Sequence, residues 1–390
     1  MHKTRNTLLL LHRYVGLSIA VFLIIVAFTG SLLAFYNNLD GWINPHIRGF
    51  DESKYLDPGT LALRAEKIAP EAQVDSVWLG VQEAASIGVS QRKNGMPLDY
   101  DQILINPLTG DELERRNWGD ITQGIHNLMP FIYKIHYALA LGSFGGYLLG
   151  IVALLWTIDC FVSFYLTLPR PRRIVSRKNN WWRRWKAAWL IKTKNGYFRF
   201  NFDLHRAFGL WAWLMLFIFA LSSVALNLRD EVYKPVMSIF FEFDHEPEIK
   251  QSELIGNPAL DWQAGYLRGN SLLLAQGKKN QFQIERYQYF GLDRNTGTYT
   301  LCAKSSLDTG KYGSTIVTFD ANSGALVSVS IPGHQATGDV ITNWLVWLHT
   351  ASVFGFAMQV IVCIIGIGIC VLTVTGGYVW WRKQKALLKR

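Results

Sequence analysis

The chain has 390 residues, 50% hydrophobic and 14% aromatic, with charged residues at only 17% and a formal net charge of +10. That mix excludes disorder, collagen-like repeats and coiled coil, and it is too apolar for an ordinary soluble protein. Four Cys without any CxxC pair exclude a disulfide framework, a zinc ribbon and covalent haem attachment.

The apolar residues pool in four runs. After a short basic start (1–7), the first run covers 8–36. It is too long for the apolar core of a signal peptide, has no small-x-small cleavage site, and reads as a retained anchor. An α+β module over 37–135 precedes the second run, 136–168. The basic loop 169–204 carries Trp181, Trp182, Trp185 and Trp189 among its cations. Beside a membrane span it reads as an interfacial helix on anionic lipid, not as a nucleic-acid surface. The third run is 205–227, a second α+β module covers 228–348, the fourth run is 349–381, and 382–390 is a tail. Each run meets the ~20 apolar residues needed to cross ~30 Å of hydrocarbon.

Charge sets the expected topology. The N-terminus to Arg13, the 169–206 connection and the tail hold 20 Lys/Arg against one acid, Asp203. The segments 37–135 and 228–348 hold 19 basic and 27 acidic residues, a net of −8. The asymmetry places both termini and the basic loop in the cytoplasm and both modules outside.

The sequence also repeats itself. His12-Arg13-Tyr14-Val15-Gly16-Leu17 is echoed by His205-Arg206-Ala207-Phe208-Gly209-Leu210. Thr29-Gly30 stands seventeen and eighteen residues after His12, and Ser222-Ser223 stands at the same offsets from His205. His136, Ala138 and Gly142 share their spacing with His349, Ala351 and Gly355. In the modules, Ile105-Asn106-Pro107-Leu108-Thr109-Gly110 and Phe319-Asp320-Ala321-Asn322-Ser323-Gly324 both read as a strand entering a hairpin turn. The expected unit is helix, small α+β module, helix, occurring twice.

Each run then carries one His near an end: His12 and His205 low, His136 and His349 high. An ionisable group in a span is costly and needs a partner, and two imidazoles facing each other across a bundle make a six-coordinate haem iron site. Gly16 and Gly209 fall one helical turn after their His, where a missing side chain lets a flat macrocycle lie against the helix. Gly30 and Ser223 repeat that small face ~27 Å further along. Packing of small residues helix on helix is the alternative. Asp159, the one acid in a run, reads as an acceptor for the second ring N–H of an axial His, as a proton-transfer group, or as a partner of the basic flank. His126 and His334 read as loop residues, or as contacts of a substrate or cofactor edge. Treated as continuous helices of 33 residues (~50 Å), runs two and four should protrude on the outer side.

Taken together, the HRxxGL helix starts, the Gly-ended turns, Trp344-Leu-x-x-Leu-His349 and the Trp-Trp-Arg exit resemble the PepSY-associated transmembrane proteins of bacterial inner membranes. Among these the chain resembles the ferric-siderophore reductases of the ferrioxamine type. The resemblance implies an α-helical membrane protein with four transmembrane helices, internal duplication and two extracytoplasmic α+β PepSY-like modules. It implies two b-type haems per chain, with His12, His205, His136 and His349 as iron ligands. Electrons would come from a cytoplasmic or quinol donor and reduce a ferric siderophore outside, by outer-sphere transfer at the haem edge. Ser222-Ser223 departs from the Thr-Gly common at that point of the family. Arg13 and Arg206 are candidates for the lower haem's propionates, or positive-inside anchors. The outer charge of −8 suits a neutral or cationic chelate such as a hydroxamate. The competing expectations are a non-catalytic membrane-anchored PepSY module that binds or regulates a partner, and an iron-siderophore permease. The span count and the expected absence of broken helices argue against the permease.

Overall fold

The computed structural model describes residues 2–93, 95–170, 180–244 and 258–388. Its helices begin with α1 (His2–Leu33), α2 (Tyr36–Ile43), α3 (Pro58–Ile68), α4 (Leu128–Ala138) and α5 (Gly142–Thr167). Then come α6 (Trp181–Lys186), α7 (Gly196–Trp211), α8 (Trp213–Asn227) and α9 (Lys234–Met237). The last are α10 (Trp262–Asn280), α11 (Thr337–His349) and α12 (Gly355–Leu388). The strands are β1 (Ala72–Leu79), β2 (Ala85–Gln91), β3 (Gln102–Ile105), β4 (Glu112–Arg116), β5 (Ile284–Asp293), β6 (Thr298–Ser305), β7 (Thr315–Asp320) and β8 (Leu326–Ser330). They belong to two compact units.

One unit comprises Met1–Phe35, Ile132–Phe240 and Thr342–Arg390. In it α1 packs on α5 and α12, α5 on α8, and α12 on α7. Among the described residues three helices are long and apolar enough to cross a membrane, and a bent pair makes a fourth if it is one span. Their outward faces are apolar: Val21, Phe28, Ile158, Leu214, Ile364 and Val374 are all exposed. Faces of this kind are solvated by lipid rather than water. Inside, small residues let helices close up. Gly366 of α12 lies against Ser31 and Ala27 of α1, and Gly368 lies against the ring of Phe208.

Three of the expected helices differ in shape. The run 205–227 is not one straight span: α7 starts at Gly196 and meets α8 at Ala212 with a 69° bend. No Pro falls there; the indole of Trp213 donates to the Cys160 carbonyl of α5 (2.8 Å) and stacks on Phe217, which holds α8 against α5. The run 136–168 is two helices, with His136 near the end of α4 and the chain turning before α5. The run 349–381 breaks likewise, with His349 closing α11 before α12 begins. Left-handed backbone makes both elbows, at Leu139, Ala140 and Gly142 in one and at Ala351, Phe354 and Gly355 in the other. Gly142 and Gly355, six residues after their His, take that conformation without strain. The four residues with side chains do not, at roughly 1–3 kcal/mol each. The first elbow is closed by two backbone bonds, Leu139 N–H to Ile135 O and Ala140 N–H to Lys134 O. The expected tail 382–390 continues α12 as far as Leu388. Part of the basic loop, residues 171–179, lies outside the described residues, whereas Trp181–Trp189 form α6 and a following turn with their rings in contact.

The other unit, Tyr36–Phe131 and Phe241–Ile341, corrects the expectation of two separate modules. It holds one eight-stranded antiparallel sheet in the order β4-β3-β2-β1-β5-β6-β7-β8. Two four-stranded meanders meet where Ser76–Trp78 of β1 pair with Gly291–Tyr289 of β5. Each meander alone would leave that strand as an open edge, and joining them removes both edges. The halves are built alike. Asp57 caps α3 by accepting from Thr60 N–H, and Asp261 caps α10 by accepting from Ala264 N–H. In the β3–β4 turn Gly110 N–H reaches Asn106 O, and in the β7–β8 turn Gly324 N–H reaches Asp320 O, both at a positive-φ Gly. Arg64 of α3 and Arg268 of α10 lie over these glycines.

The core of this unit lies between the sheet and the pair α3 and α10, with Leu61, Ile87, Ile103, Leu273, Leu301 and Phe319 fully buried. Leu273→Ala is expected to cost about 2–5 kcal/mol, whereas Leu274→Ala, at an exposed neighbour, stays within about 0.5 kcal/mol. Denaturant titration of the detergent-solubilised chain separates the two.

Candidate functional site

The four run histidines form two pairs. His12 of α1 and His205 of α7 have ring centroids 6.1 Å apart, and His136 of α4 and His349 of α11 are also 6.1 Å apart. Thr29, which touches His136, stands seventeen residues beyond His12 on α1, so the two pairs are about 25 Å apart along that helix.

Every ring is held by its Nδ1. His12 Nδ1–H donates to the Asp159 carboxylate of α5, at 2.9 and 3.0 Å to its two oxygens. His205 Nδ1–H donates to the Leu372 carbonyl of α12 at 2.9 Å. The hydroxyl of Thr29 already donates to Ile25 O, so it accepts from His136 Nδ1–H at 3.1 Å. Ser222 likewise donates to Ile218 O and accepts from His349 Nδ1–H at 2.6 Å. These partners select one tautomer for all four rings, with the Nε2 lone pair left for another use.

Glycines make room for the rings. A Cβ on Gly30 would lie 2.9 Å from His136 Cε1, and one on Gly376 would lie 3.0 Å from His205 Cε1. Gly30 therefore seats an imidazole. Gly16 and Gly209 do present bare faces. Nothing lies within 4 Å of a Cβ on Gly16, and only Leu372 Cδ2, at 3.9 Å, faces one on Gly209. Both line a cavity of about 440 Å³ together with His12, His205, Asp159 and Gly376. That volume lies in the range of about 300–1,000 Å³ usual for small-molecule and cofactor sites.

PepSY-associated TM region, a protein family, matches residues 9–383. The chain belongs to this family. It is a multi-pass membrane protein in contact with the lipid bilayer. No curated protein matches it in sequence.

For a member of the PepSY-associated TM region family, the chemistry available to the site follows from its donor set. Two imidazoles holding one metal ion from opposite sides at about 2.0–2.1 Å, with a ring radius added each way, have centroids about 6 Å apart. Both pairs meet that separation. Among the described residues no group of three or more His, Cys, Asp or Glu could hold a metal. The residues present fit a haem group: His12 with His205, and His136 with His349, would hold it through their free Nε2 atoms, and at the lower pair the cavity would give it room.

Other candidates stand differently. Arg13 and Arg206 line the same cavity, as does Lys383. The guanidinium of Arg206, however, is bonded to Asp203 and to the carbonyls of Ala187 and Ala188, so it ties α7 to the preceding turn. Ser223 bonds back to Phe219 O in its own helix. Ser222 is the residue that matters, and its offset from His205, identical to that of Thr29 from His12, was the signal for it. Gly376 had no such signal, because its role depends on where α7 crosses α12. In the sheet unit His126 faces Glu114 at 3.4 Å, and His46 faces the same carboxylate at 3.1 Å. The backbone N–H of His334 bonds to Ile331 O in a loop.

Proposed function

We propose that the chain is a di-haem b reductase of the bacterial inner membrane, with both termini cytoplasmic and four spans, the bent pair α7 and α8 counting as one. The alike helix starts and the alike halves of the sheet support its descent from an internal duplication. The observation that carries the reading is the two imidazole pairs at one common separation, each ring held by Nδ1 so that Nε2 is available. When bound, haem supplies one-electron exchange between its ferric and ferrous states. His12 and His205 would hold the lower haem, and His136 and His349 the upper. Asp159, Leu372, Thr29 and Ser222 hold the ring orientations that ligation needs. Gly16 and Gly209 keep the lower cavity open, and Arg13 with Lys383 gives its rim positive charge suited to propionates.

The substrate in this reading is ferric iron in a siderophore of the hydroxamate type, each Fe(III) taking one electron to become Fe(II). The smaller charge of Fe(II) weakens its hold on hard oxygen ligands, which frees it. A quinol or a cytoplasmic donor replaces the electrons, one quinol serving two ferric centres with loss of two protons. No acid, base or nucleophile of the chain takes part.

Anaerobic mixing of the dithionite-reduced, desalted protein with a ferric hydroxamate tests this activity. The expected result is up to two Fe(II) captured by a ferrous chelator per chain, and none with the redox-inert Ga(III) chelate. Failure of the ferric chelate to reoxidise the protein would refute the proposed substrate.

The break between α7 and α8 is a feature that transporters also show, so the expected absence of broken helices does not hold. It favours the permease as the second reading. Uptake of labelled chelate into vesicles without an electron donor would support the permease against the reductase.

A further inference from the structure

The four rings differ in what their Nδ1–H groups meet, and the difference follows the two pairs. In the lower pair the acceptors are an anionic carboxylate, Asp159, and a backbone carbonyl, Leu372 O. In the upper pair the partners are all neutral, the hydroxyls of Thr29 and Ser222 and, for His136, the Val26 carbonyl as well. Asp159 is buried, with its side chain only 10% exposed, and its hydrogen bonds among the described residues both go to His12 Nδ1. Resting on the di-haem reading, we propose that Asp159 is a positioning residue that makes the His12/His205 site the more reducing of the two. It thereby sets the polarity of the chain from that site toward His136 and His349.

A carboxylate accepting from one ring nitrogen draws its proton and raises the basicity of the other. A more basic Nε2 and a nearby negative charge both favour ferric over ferrous iron, which lowers the reduction potential. Burial strengthens the effect, because the carboxylate is poorly screened there. The hydroxyls carry no net charge, and each already spends its proton on a helix carbonyl. They orient His136 and His349 with much less push. An electron therefore falls in energy from the Asp159 end toward the Thr29 and Ser222 end.

Redox titration of the haem-loaded protein, followed in the visible spectrum, tests this. Two one-electron waves are expected in the unaltered protein, and the wave lost in His12→Ala should be the lower of the two. Asp159→Asn should raise the potential of that wave by at least about 59 mV, a tenfold loss of ferric-over-ferrous preference for one electron. The other wave should stay in place, and Asp159→Glu should restore much of the original value. Waves in the opposite order, or an Asp159→Asn wave that does not move, would overturn the proposal while leaving two haems standing. Absence of any wave would overturn the di-haem reading and this proposal with it. The order of the waves is read in the unaltered protein, so the test does not depend on the folding of the Asp159 variants.

Discussion

His12→Ala and His205→Ala are each expected to remove the same haem b signal and leave the other, so that either variant, and the double variant, should retain about one haem per chain. His136→Ala and His349→Ala together define the complementary loss. The expectation follows from the pairing, since each haem would need both of its imidazoles for six-coordination and the rings are 6.1 Å apart within each pair. The two sites lie about 25 Å apart along α1, too far for a lost ligand at one to disturb the other directly. Haem quantification with low-temperature spectra of the α band makes the comparison. If His12→Ala and His205→Ala removed two different signals, the pairing would be wrong.

Gly145→Ala is expected to cost the upper haem while sparing the lower. A Cβ there would fall on the backbone carbonyl of Ala138, well inside van der Waals contact, and a backbone carbonyl does not step aside as a flexible side chain does. The α4–α5 elbow would have to open, and His136 stands two residues before Ala138. Overpacking of this kind costs about 1–3 kcal/mol or more, and here the displacement is spent at a ligand. The adjacent Gly146→Ala is the control, because its Cβ would meet only Asn227 Oδ1, at 3.8 Å. Equal haem content in both variants would show that the elbow does not position His136.

Much of this arrangement was legible in residue spacing. The repeat of His-Arg-x-x-Gly-Leu marked α1 and α7 as counterparts, and depth alone sorted the four histidines into two levels. The turns at Gly110 and Gly324 were readable because a positive φ asks for Gly and the preceding Asn or Asp closes the turn with its side chain. The elbows were not readable. Leu139, Ala140, Ala351 and Phe354 take left-handed backbone because the surrounding structure holds them there, and no local preference announces it. The joining of β1 to β5 was hidden for a related reason. Alternation within a strand shows which face is buried, but it does not say which edge meets another strand 200 residues away. Gly376 and the link from Asp159 to His12 are likewise products of helix crossing. Asp159 is an acceptor by sequence alone, but only the packing of α5 beside α1 fixes His12 as its partner.

The di-haem reading requires that the paired imidazoles hold haem. Its most direct test is the visible spectrum of the detergent-purified chain, air-oxidised and then reduced with dithionite, with haem counted per chain. Low-spin b-type bands and close to two haems per chain are expected. A chain purified after expression with ample haem that shows no such bands would contradict the reading.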